Sequence, residues 1–546
     1  MRPGALSSAG PREGHLGLRE RMRRTRVCRV TDPLIPTVEP IDALPLDAAA
    51  LRAAADAARS IAYLVLFAAP GGEGADPDPS APGDAREAGW LAEAARVLDA
   101  AGAAADLPAL VAAYGPPTSA GSTAVIPLAD GPIGRIVLAN AGDGSARAVR
   151  SAAAAALRAA GEPATIWLHP IGIGPADAVV EGALVATPTL HWGAGSEPLA
   201  QPPIRYLGAP DGSLFRLGTE CARATLTARA LANTPSNLKS PEWLAGVARQ
   251  IARASGVRAK VWTPKALAEG GFGGILAVGQ GSATPPRMVE LTYAPRGADG
   301  PPVVLVGKGI TFDTGGVNVK PAAGMLTMKT DMSGAAIVLA VLAGCRALGV
   351  RRRVIGLMPL AENAIGGNSY RPSDVITQYG GRTVEIGNTD AEGRIVLADA
   401  IAYAVETHRP AALVDIATLT GAARVALASS YAASYGTDDA LHDAIRRACA
   451  AAGEPLWPLP LVEDYRSDLD SDVADLSHIG SKGGPGAGSI IAALFLREFT
   501  GDVPWVHLDI AGVGRSESDT GLLAKGATGY GARGLLRWLL EETPGG

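Results

Sequence analysis

Apolar runs of strand length alternate with alanine-rich stretches along the first part of the chain. Alternation of this kind is typical of an α/β unit, in which strands and helices follow one another. One of the longest runs, Ile61–Phe67, is continuously apolar and of strand length. We predict strands at 61–67, 123–128, 133–138 and 164–168 and helices at 85–105 and 146–160.

The second part of the chain predicts two long helices, at 219–231 and 241–254, and then a buried strand at 303–306. This Val-Val-Leu-Val run leads directly into the glycine-rich segment 307–316. Ligands of open α/β sheets gather at the carboxyl ends of such strands. A functional site is therefore expected to begin at Lys308.

Composition narrows the class of protein. The 546 residues are 47% apolar and 19% charged, with a net charge of −5, which fits a globular protein of two or more domains. The apolar runs are too short to span a membrane, and the charge does not favour nucleic acid. The four cysteines are scattered, without metal-binding or disulfide spacing, and this favours the reducing cytoplasm.

Three segments are predicted from the change in composition along the chain. Residues 1–35 are rich in Arg, Gly and Pro and are expected to be a disordered tail. Residues 36–205 form the N-terminal α/β domain, and prolines 198, 202 and 203 mark a linker. Residues 206–546 form the larger domain, which carries the candidate site.

Seven charged residues lie in or beside glycine-rich or strongly apolar sequence, where an unpaired charge would be costly. They are Lys308, Asp313, Lys320, Asp331, Asp390, Glu392 and Arg394. One interpretation is mutual pairing in buried salt bridges. The other is a metal cluster, since carboxylates without an adjacent cysteine set suit hard or borderline divalent ions and can bridge two ions about 3.5–4 Å apart.

The stretch 388–394, Asn-Thr-Asp-Ala-Glu-Gly-Arg, concentrates two of these carboxylates and a guanidinium before an apolar run. Thr389 followed by Glu392 is also a capping box, which would merely satisfy free N–H groups at a helix start. The second acidic stretch upstream favours the functional interpretation, although Thr389 could still cap the helix.

These motifs resemble the leucyl aminopeptidase (cytosol aminopeptidase) family of metallopeptidases. The two signature stretches correspond to 306–320 and 388–394, and the likeness covers about 220–535. Further matching stretches are 277–282, 415–421, 472–476 and 505–512. The resemblance implies an α/β fold of two domains, the larger with a central mixed sheet flanked by helices.

The resemblance also implies roles for individual residues. One divalent ion, Zn²⁺ or Mn²⁺, would be held by Lys308, Asp313, Asp331 and Glu392, and a second by Asp313, Asp390 and Glu392. Lys320 would stabilise the oxyanion, and Arg394 would hold a bicarbonate that acts as general base. Asp331 would bind the substrate's amine, and the pocket for its first side chain would be lined by Met328, Thr418, Leu419 and Gly421.

The function implied is a cytoplasmic, homohexameric aminopeptidase that releases N-terminal residues, with apolar ones such as leucine preferred. A dipeptidase or cysteinylglycine hydrolase of the same fold would keep every ligand and remains an alternative. A non-enzymatic DNA-binding role would need a basic surface, for which the arginines at 351–353 are a candidate. No membrane partner is expected, and nucleic acid is the least favoured partner.

Overall fold

The fold was analysed in a computed structural model that describes residues 41–541 apart from 59, 68–83, 104, 162–164, 187–202, 209–210 and 481–485. The predicted tail at 1–35 and most of the predicted linker therefore lie outside the described residues. The predicted domain boundary at 205 stays a prediction. It falls within a strand at Ile204–Leu207 that belongs to the first sheet.

The first sheet has six strands in the order β1-β6-β5-β2-β4-β3. All neighbours are parallel except β3 and β4. The strands are β1 (Asp42–Leu44), β2 (Ile61–Phe67), β3 (Thr123–Pro127), β4 (Ile133–Asn140), β5 (Thr165–Ile171) and β6 (Ile204–Leu207). The helices are α1 (Ala48–Ala57), α2 (Asp84–Ala101), α3 (Leu107–Tyr114), α4 (Ala146–Ala159) and α5 (Ala176–Val185). This α/β arrangement matches the one predicted from the apolar pattern.

The second sheet has nine strands, with an eight-strand path in the order β16-β15-β18-β14-β9-β11-β8-β7 and β10 beside β11. It is mixed, since β7, β8 and β15 run antiparallel to a neighbour. Its strands are β7 (Arg258–Trp262), β8 (Arg287–Tyr293), β9 (Val303–Gly307), β10 (Gly309–Asp313), β11 (Val354–Asn363), β14 (Ala412–Ala417), β15 (Ala432–Gly436), β16 (Leu456–Pro458) and β18 (Trp505–Asp509). The buried run predicted at 303–306 is thus a central strand.

The remaining elements flank this sheet or connect its strands. Small sheets contain β12 (Val375–Thr377), β13 (Thr383–Glu385) and β17 (Leu476–Ser477), and β19 (Arg515–Ser516) with β20 (Gly526–Ala527). The helices are α6 (Gly212–Asn233), α7 (Pro241–Ser255), α8 (Pro264–Glu269), α9 (Gly273–Gly279), α10 (Ala322–Met325), α11 (Ser333–Leu348), α12 (Glu392–Tyr403), α13 (Gly421–Leu427), α14 (Asp439–Ala451), α15 (Gly488–Arg497) and α16 (Ala532–Leu540). Short 3₁₀ helices occupy Met328–Thr330, Thr389–Ala391 and Glu463–Leu469, and a π-helical turn occupies Ala404–His408.

Local sequence explains where individual helices begin and end. Ser240 precedes α7 and accepts the backbone N–H of Trp243, and Pro241 occupies the first turn, where its missing N–H costs nothing. The helix stops at Gly256, which has a φ of +71° and is in the left-handed region that favours glycine.

Helix α11 packs closely beneath the carboxyl ends of the central strands. A Cβ at Gly334 would lie 2.1 Å from the carbonyl oxygen of Ile416, and one at Gly307 would lie 2.3 Å from the carbonyl oxygen of Gly334. Both positions therefore need glycine for the backbones to approach. The stretch Ala322–Leu348, which contains α11, is the one described segment long and apolar enough to cross a membrane, and 78% of its most apolar window is buried inside the protein.

A buried ion-pair cluster joins the first sheet's helices to the last helix of the chain. Arg150 on α4 pairs with Glu181 on α5, and Arg537 on α16 pairs with both Glu181 and Asp177, at 2.5 Å for the latter. The two carboxylates are 5% exposed or less. A third arginine, Arg229 on α6, donates to the carbonyls of Val185, Leu522 and Thr528, so it connects α5 to the C-terminal segment.

Candidate metal centre

Four central strands of the second sheet end at the same edge, and each delivers a polar residue there. Lys308 follows β9, Asp313 ends β10, Asn363 ends β11 and Thr418 follows β14. The parallel pairing of β9 with β11 and β14, and of β10 with β11, brings these ends together. These polar residues, with Lys308 first along the chain, form the candidate site at this edge of the sheet; that it is the functional site stays a prediction.

Lys308 is the more deeply buried of the two lysines in this site. Its Nζ is 2.8 Å from Asp331 Oδ2 and 2.9 Å from Glu392 Oε1, and it donates to the carbonyl of Thr418 at 3.0 Å. Its side chain is only 4% exposed. A Cβ at Gly393 would lie 2.7 Å from Lys308 Nζ, so glycine after Glu392 leaves the space that the lysine occupies.

Lys320 contacts the other two carboxylates from the outer side of the cluster. Its Nζ is 2.8 Å from Asp313 Oδ2 and also pairs with Asp390. At 16% exposure its side chain is more accessible than that of Lys308. The two lysines therefore occupy different depths of one carboxylate cluster.

The carboxylates themselves converge closely enough to share a cation. One oxygen from each of Asp313, Asp390 and Glu392 lies within 4.8 Å of the others. Burial raises the pKa of Asp313, and the neighbouring Glu392 charge raises it further. Burial likewise raises the pKa of Asp331, although the positive charge of Lys308 acts to lower it. Both shifts indicate a site in which negative charge is concentrated and poorly solvated.

Arg394 does not neutralise this charge. Its Nη1 donates to the carbonyl of His478 at 2.8 Å, and no ion pair to the cluster is present among the described residues. Its Nε is buried without a partner in the part of the chain described. Four carboxylates thus face two ammonium groups, so buried salt bridges alone leave the cluster anionic.

This donor set fits divalent cations. Oxygen ligands grouped within bonding reach, an excess of negative charge and a buried setting are what hard or borderline divalent ions require. Among the metals that suit such ligands are Mn²⁺ and Zn²⁺. Three of the five residues predicted as ligands, Asp313, Asp390 and Glu392, lie close enough to share a cation. That these residues bind metal, and which ion each would hold, stays a prediction.

Asn363 is a member of the site that sequence reasoning did not identify. Its Nδ2 donates to Asp313 Oδ1 at 2.8 Å and to the carbonyl of Thr389 at 3.0 Å, and it lies 3.5 Å from Glu392 Oε2. The hydroxyl of Tyr370 donates to the same Thr389 carbonyl. The sequence did contain one signal for Asn363, since it is a polar residue at the end of a long apolar strand.

Thr389 does not cap helix α12, and the expectation that it could was wrong. Its hydroxyl donates to the carbonyl of Gly315 at 2.7 Å and accepts the N–H of Asn318 at 2.9 Å. Helix α12 has no side-chain cap at its start. Thr389 instead fastens the 388–394 stretch to the segment that follows β10, which carries Lys320.

Two of the predicted substrate-pocket residues, Met328 and Thr418, contact Asp331. Met328 begins a 3₁₀ turn, and the carbonyl of Met328 accepts the N–H of Asp331. The hydroxyl of Thr418 donates to Asp331 Oδ1 at 2.7 Å. Leu419 follows Thr418 directly, and Gly421 begins helix α13. A Cβ at Gly421 would meet nothing within 4 Å, so the backbone there borders open space.

Comparison with known proteins decides the family. The model of the cytosol aminopeptidase family's catalytic domain matches residues 226–536, more than half of the chain. This chain belongs to the cytosol aminopeptidase family. Membership confirms the resemblance inferred from the sequence.

Relatives of the family share much of the sequence. A probable cytosol aminopeptidase of Desulfovibrio desulfuricans is 51% identical over 331 residues, which cover 60% of this chain and 66% of that protein. One from Streptomyces avermitilis is 42% identical over 417 residues, which cover 73% and 80%. The first of these matches thus spans just under two thirds of the relative's length.

The fold is shared with a solved structure. The bottromycin maturation enzyme BotP, in complex with Mn, is 34% identical and superposes with a TM-score of 0.74 over 89% of this chain and 99% of that chain. This likeness confirms the predicted α/β fold class. BotP's bound Mn also agrees with the divalent-cation chemistry expected from the carboxylates.

Proposed function

We propose that this chain is a two-metal aminopeptidase that releases N-terminal residues from peptides in the cytoplasm. The observation that carries the proposal is the convergence of four carboxylates on two lysines at the carboxyl ends of the central strands. The two negative charges that the lysines leave uncompensated would attract divalent ions, of which we propose two. Bound there, such ions polarise a carbonyl and generate hydroxide at neutral pH.

The metal ligands in this proposal are Lys308, Asp313, Asp331, Asp390 and Glu392, with Asp313 and Glu392 shared between the two ions. The carboxylates around Lys308 raise the pKa of its amine against the opposing effect of burial. Lys308 can therefore act as a ligand only when a dication displaces its proton. The choice between Zn²⁺ and Mn²⁺ is part of the proposal.

Lys320 is proposed as the group that stabilises the oxyanion. It has the greater exposure of the two lysines, so its ammonium is the one that a substrate can reach. Arg394 is proposed to hold a bicarbonate general base. Its buried Nε has no described partner, and it lies in the first turn of α12, where the helix dipole also favours an anion.

Substrate selection would depend on the residues beside Asp331. Its carboxylate would pair with the free α-amine of the peptide, while Met328, Thr418, Leu419 and Gly421 would contact the first side chain. An apolar side chain such as leucine suits this set. A homohexamer is proposed because the family resemblance implies one.

Metal content and hydrolysis of leucine p-nitroanilide, measured on the same sample, test the proposal. Chelation should abolish hydrolysis, and Zn²⁺, Mn²⁺ or Co²⁺ should restore it. Full activity in protein free of metal would contradict the proposal. Gel filtration with light scattering tests the hexamer separately.

A substrate panel separates the alternatives. A dipeptidase or cysteinylglycine hydrolase would cleave dipeptides and refuse longer peptides. The similarity to BotP, named as a bottromycin maturation enzyme, supports adding modified peptide precursors to the panel. A DNA-binding role has less support, because Arg352 in the basic run donates to the Glu541 carbonyl and lies over the ring of Trp538.

A further inference from the structure

A buried carboxylate at the end of β18 holds the turn that follows β14. Asp509 is 1% exposed, and its oxygens accept the backbone N–H groups of Leu419 and Thr420, each at 3.1 Å. They also accept the hydroxyl of Thr420 at 2.6 Å and the N–H of Ala511 at 3.1 Å. A carboxylate can only accept hydrogen bonds, and all of these neighbours donate.

The turn held in this way contacts the candidate metal centre at two points. The carbonyl of Thr418 accepts from Lys308 Nζ at 3.0 Å, and its hydroxyl donates to Asp331 Oδ1 at 2.7 Å. Within the part of the chain that the structure describes, Asp313, Asp390 and Glu392 form their hydrogen bonds with Gly315, Asn363 and Asn388 and not with this turn. The turn therefore adjoins one side of the carboxylate cluster.

We propose that Asp509 is a positioning residue, which sets the places of Lys308 and Asp331 through the turn at 418–420. The inference rests on the proposed function, in which those two residues belong to one metal site. Partners that orient metal ligands from behind commonly change metal affinity about 10–100-fold when they are removed. Asp509 acts indirectly, through a backbone turn that contacts only Lys308 and Asp331 among the proposed ligands. Its loss should therefore weaken the affinity for the metal that these two residues hold and leave the affinity for the other unchanged.

The test compares Asp509→Asn with a chemically matched control, Asp399→Asn. Asp399 is also fully buried and accepts two backbone N–H groups, from Ile275 and Tyr379, each at 2.8 Å. In both variants an amide replaces an acceptor oxygen with a donor that faces N–H groups. Both should lose stability for this reason, but only one of them releases the turn at 418–420.

Mn²⁺ titration of the metal-free proteins by calorimetry is the deciding measurement. Wild type and Asp399→Asn should bind two equivalents with the same affinities. Asp509→Asn should bind one equivalent normally and the other about 10–100-fold more weakly. In hydrogen exchange, the amides of Leu419 and Thr420 should exchange faster in Asp509→Asn alone.

Three outcomes would overturn the inference. The first is an Asp509→Asn isotherm equal to that of wild type, and the second is equal weakening in Asp509→Asn and Asp399→Asn. If Asp509→Asn does not fold, Thr420→Val is tested in its place, since it removes the 2.6 Å hydrogen bond from the hydroxyl and keeps the carboxylate. The third outcome is a Thr420→Val isotherm equal to that of wild type. A wild-type chain that binds no Mn²⁺ overturns the proposed function, and this inference with it.

Discussion

The two lysines of the candidate metal centre should respond differently to the same substitution. Lys308→Met removes two buried ion-pair contacts and a hydrogen bond to the Thr418 carbonyl. Loss of one partner from a buried pair costs about 3–5 kcal/mol, because the remaining carboxylates stay buried and unpaired. Lys320→Met removes contacts at the more exposed side of the cluster, so we expect a smaller loss, of about 1.5–3 kcal/mol.

Mn²⁺ should widen the difference in stability between Lys308→Met and Lys320→Met. Metal binding stabilises the folded state by about 2.7 kcal/mol when free metal is 100 times its dissociation constant. Lys320→Met keeps all proposed ligands, so it should gain this stabilisation as wild type does. Lys308→Met lacks one ligand and should gain less. In turnover, Lys320→Met should lose about 10²–10³-fold in kcat, as when one oxyanion donor is removed.

The assay is urea unfolding with and without Mn²⁺, together with bound metal after dialysis and kcat for leucine p-nitroanilide. Lys265→Met is a matched control, because that lysine is 86% exposed and its nearest carboxylate, Glu269, is 3.7 Å away. It should behave as wild type in all three measurements. If Lys320→Met sheds metal while Lys308→Met retains it, the roles of the two lysines are reversed.

Three further outcomes follow from the structure. Asn363→Ala should weaken Mn²⁺ binding about 10–100-fold in calorimetry, because the amide that orients Asp313 is lost, and an unchanged affinity would remove Asn363 from the site. N-acetyl-leucylglycine should be cleaved at least about 10⁴-fold more slowly in kcat/KM than leucylglycine, since the blocked amine leaves buried polar groups unpaired; equal rates would indicate a different amidohydrolase. Burial, aided by the charge of Arg96, lowers the pKa of His169 to about 4. The unfolded chain therefore takes up this proton first, and about 3 kcal/mol of stability should be lost as pH falls from 6.5 to 4, in urea unfolding of wild type but not of His169→Gln.

Much of the fold followed from local sequence. The apolar run at 303–306 gave a buried central strand because no polar side chain interrupts it, and the glycine-rich sequence that follows carries Lys308 and Asp313 of the candidate site. The stretch 388–394 combined acidic residues and an arginine in a way that local structure alone does not require. Both features are encoded within a few consecutive residues.

What was missed depends on contacts between distant parts of the chain. Asn363 reaches Asp313 only because β10 pairs with the carboxyl end of β11. The register between two strands cannot be predicted from either segment alone. Thr389 had a sound local interpretation as a cap, yet the carbonyl of Gly315 competes for its hydroxyl. Arg394 was counted among the cluster's cations, but the carbonyl of His478 lies within its reach. In each case the hydrogen-bond partner comes from a distant part of the chain.

The ion pairs between the helices of the first sheet and helix α16 bear on how the chain behaves as a whole. Arg537 comes from the far end of the sequence, yet it shares its carboxylates, Asp177 and Glu181, with Arg150. Pulling the two sheets apart would leave Glu181 and Asp177 with one arginine instead of two. The N-terminal sheet is therefore not expected to be a detachable module. A chain shortened to the part that carries the second sheet would leave Arg537 without Asp177 and Glu181, and we expect the whole chain to unfold in a single cooperative transition.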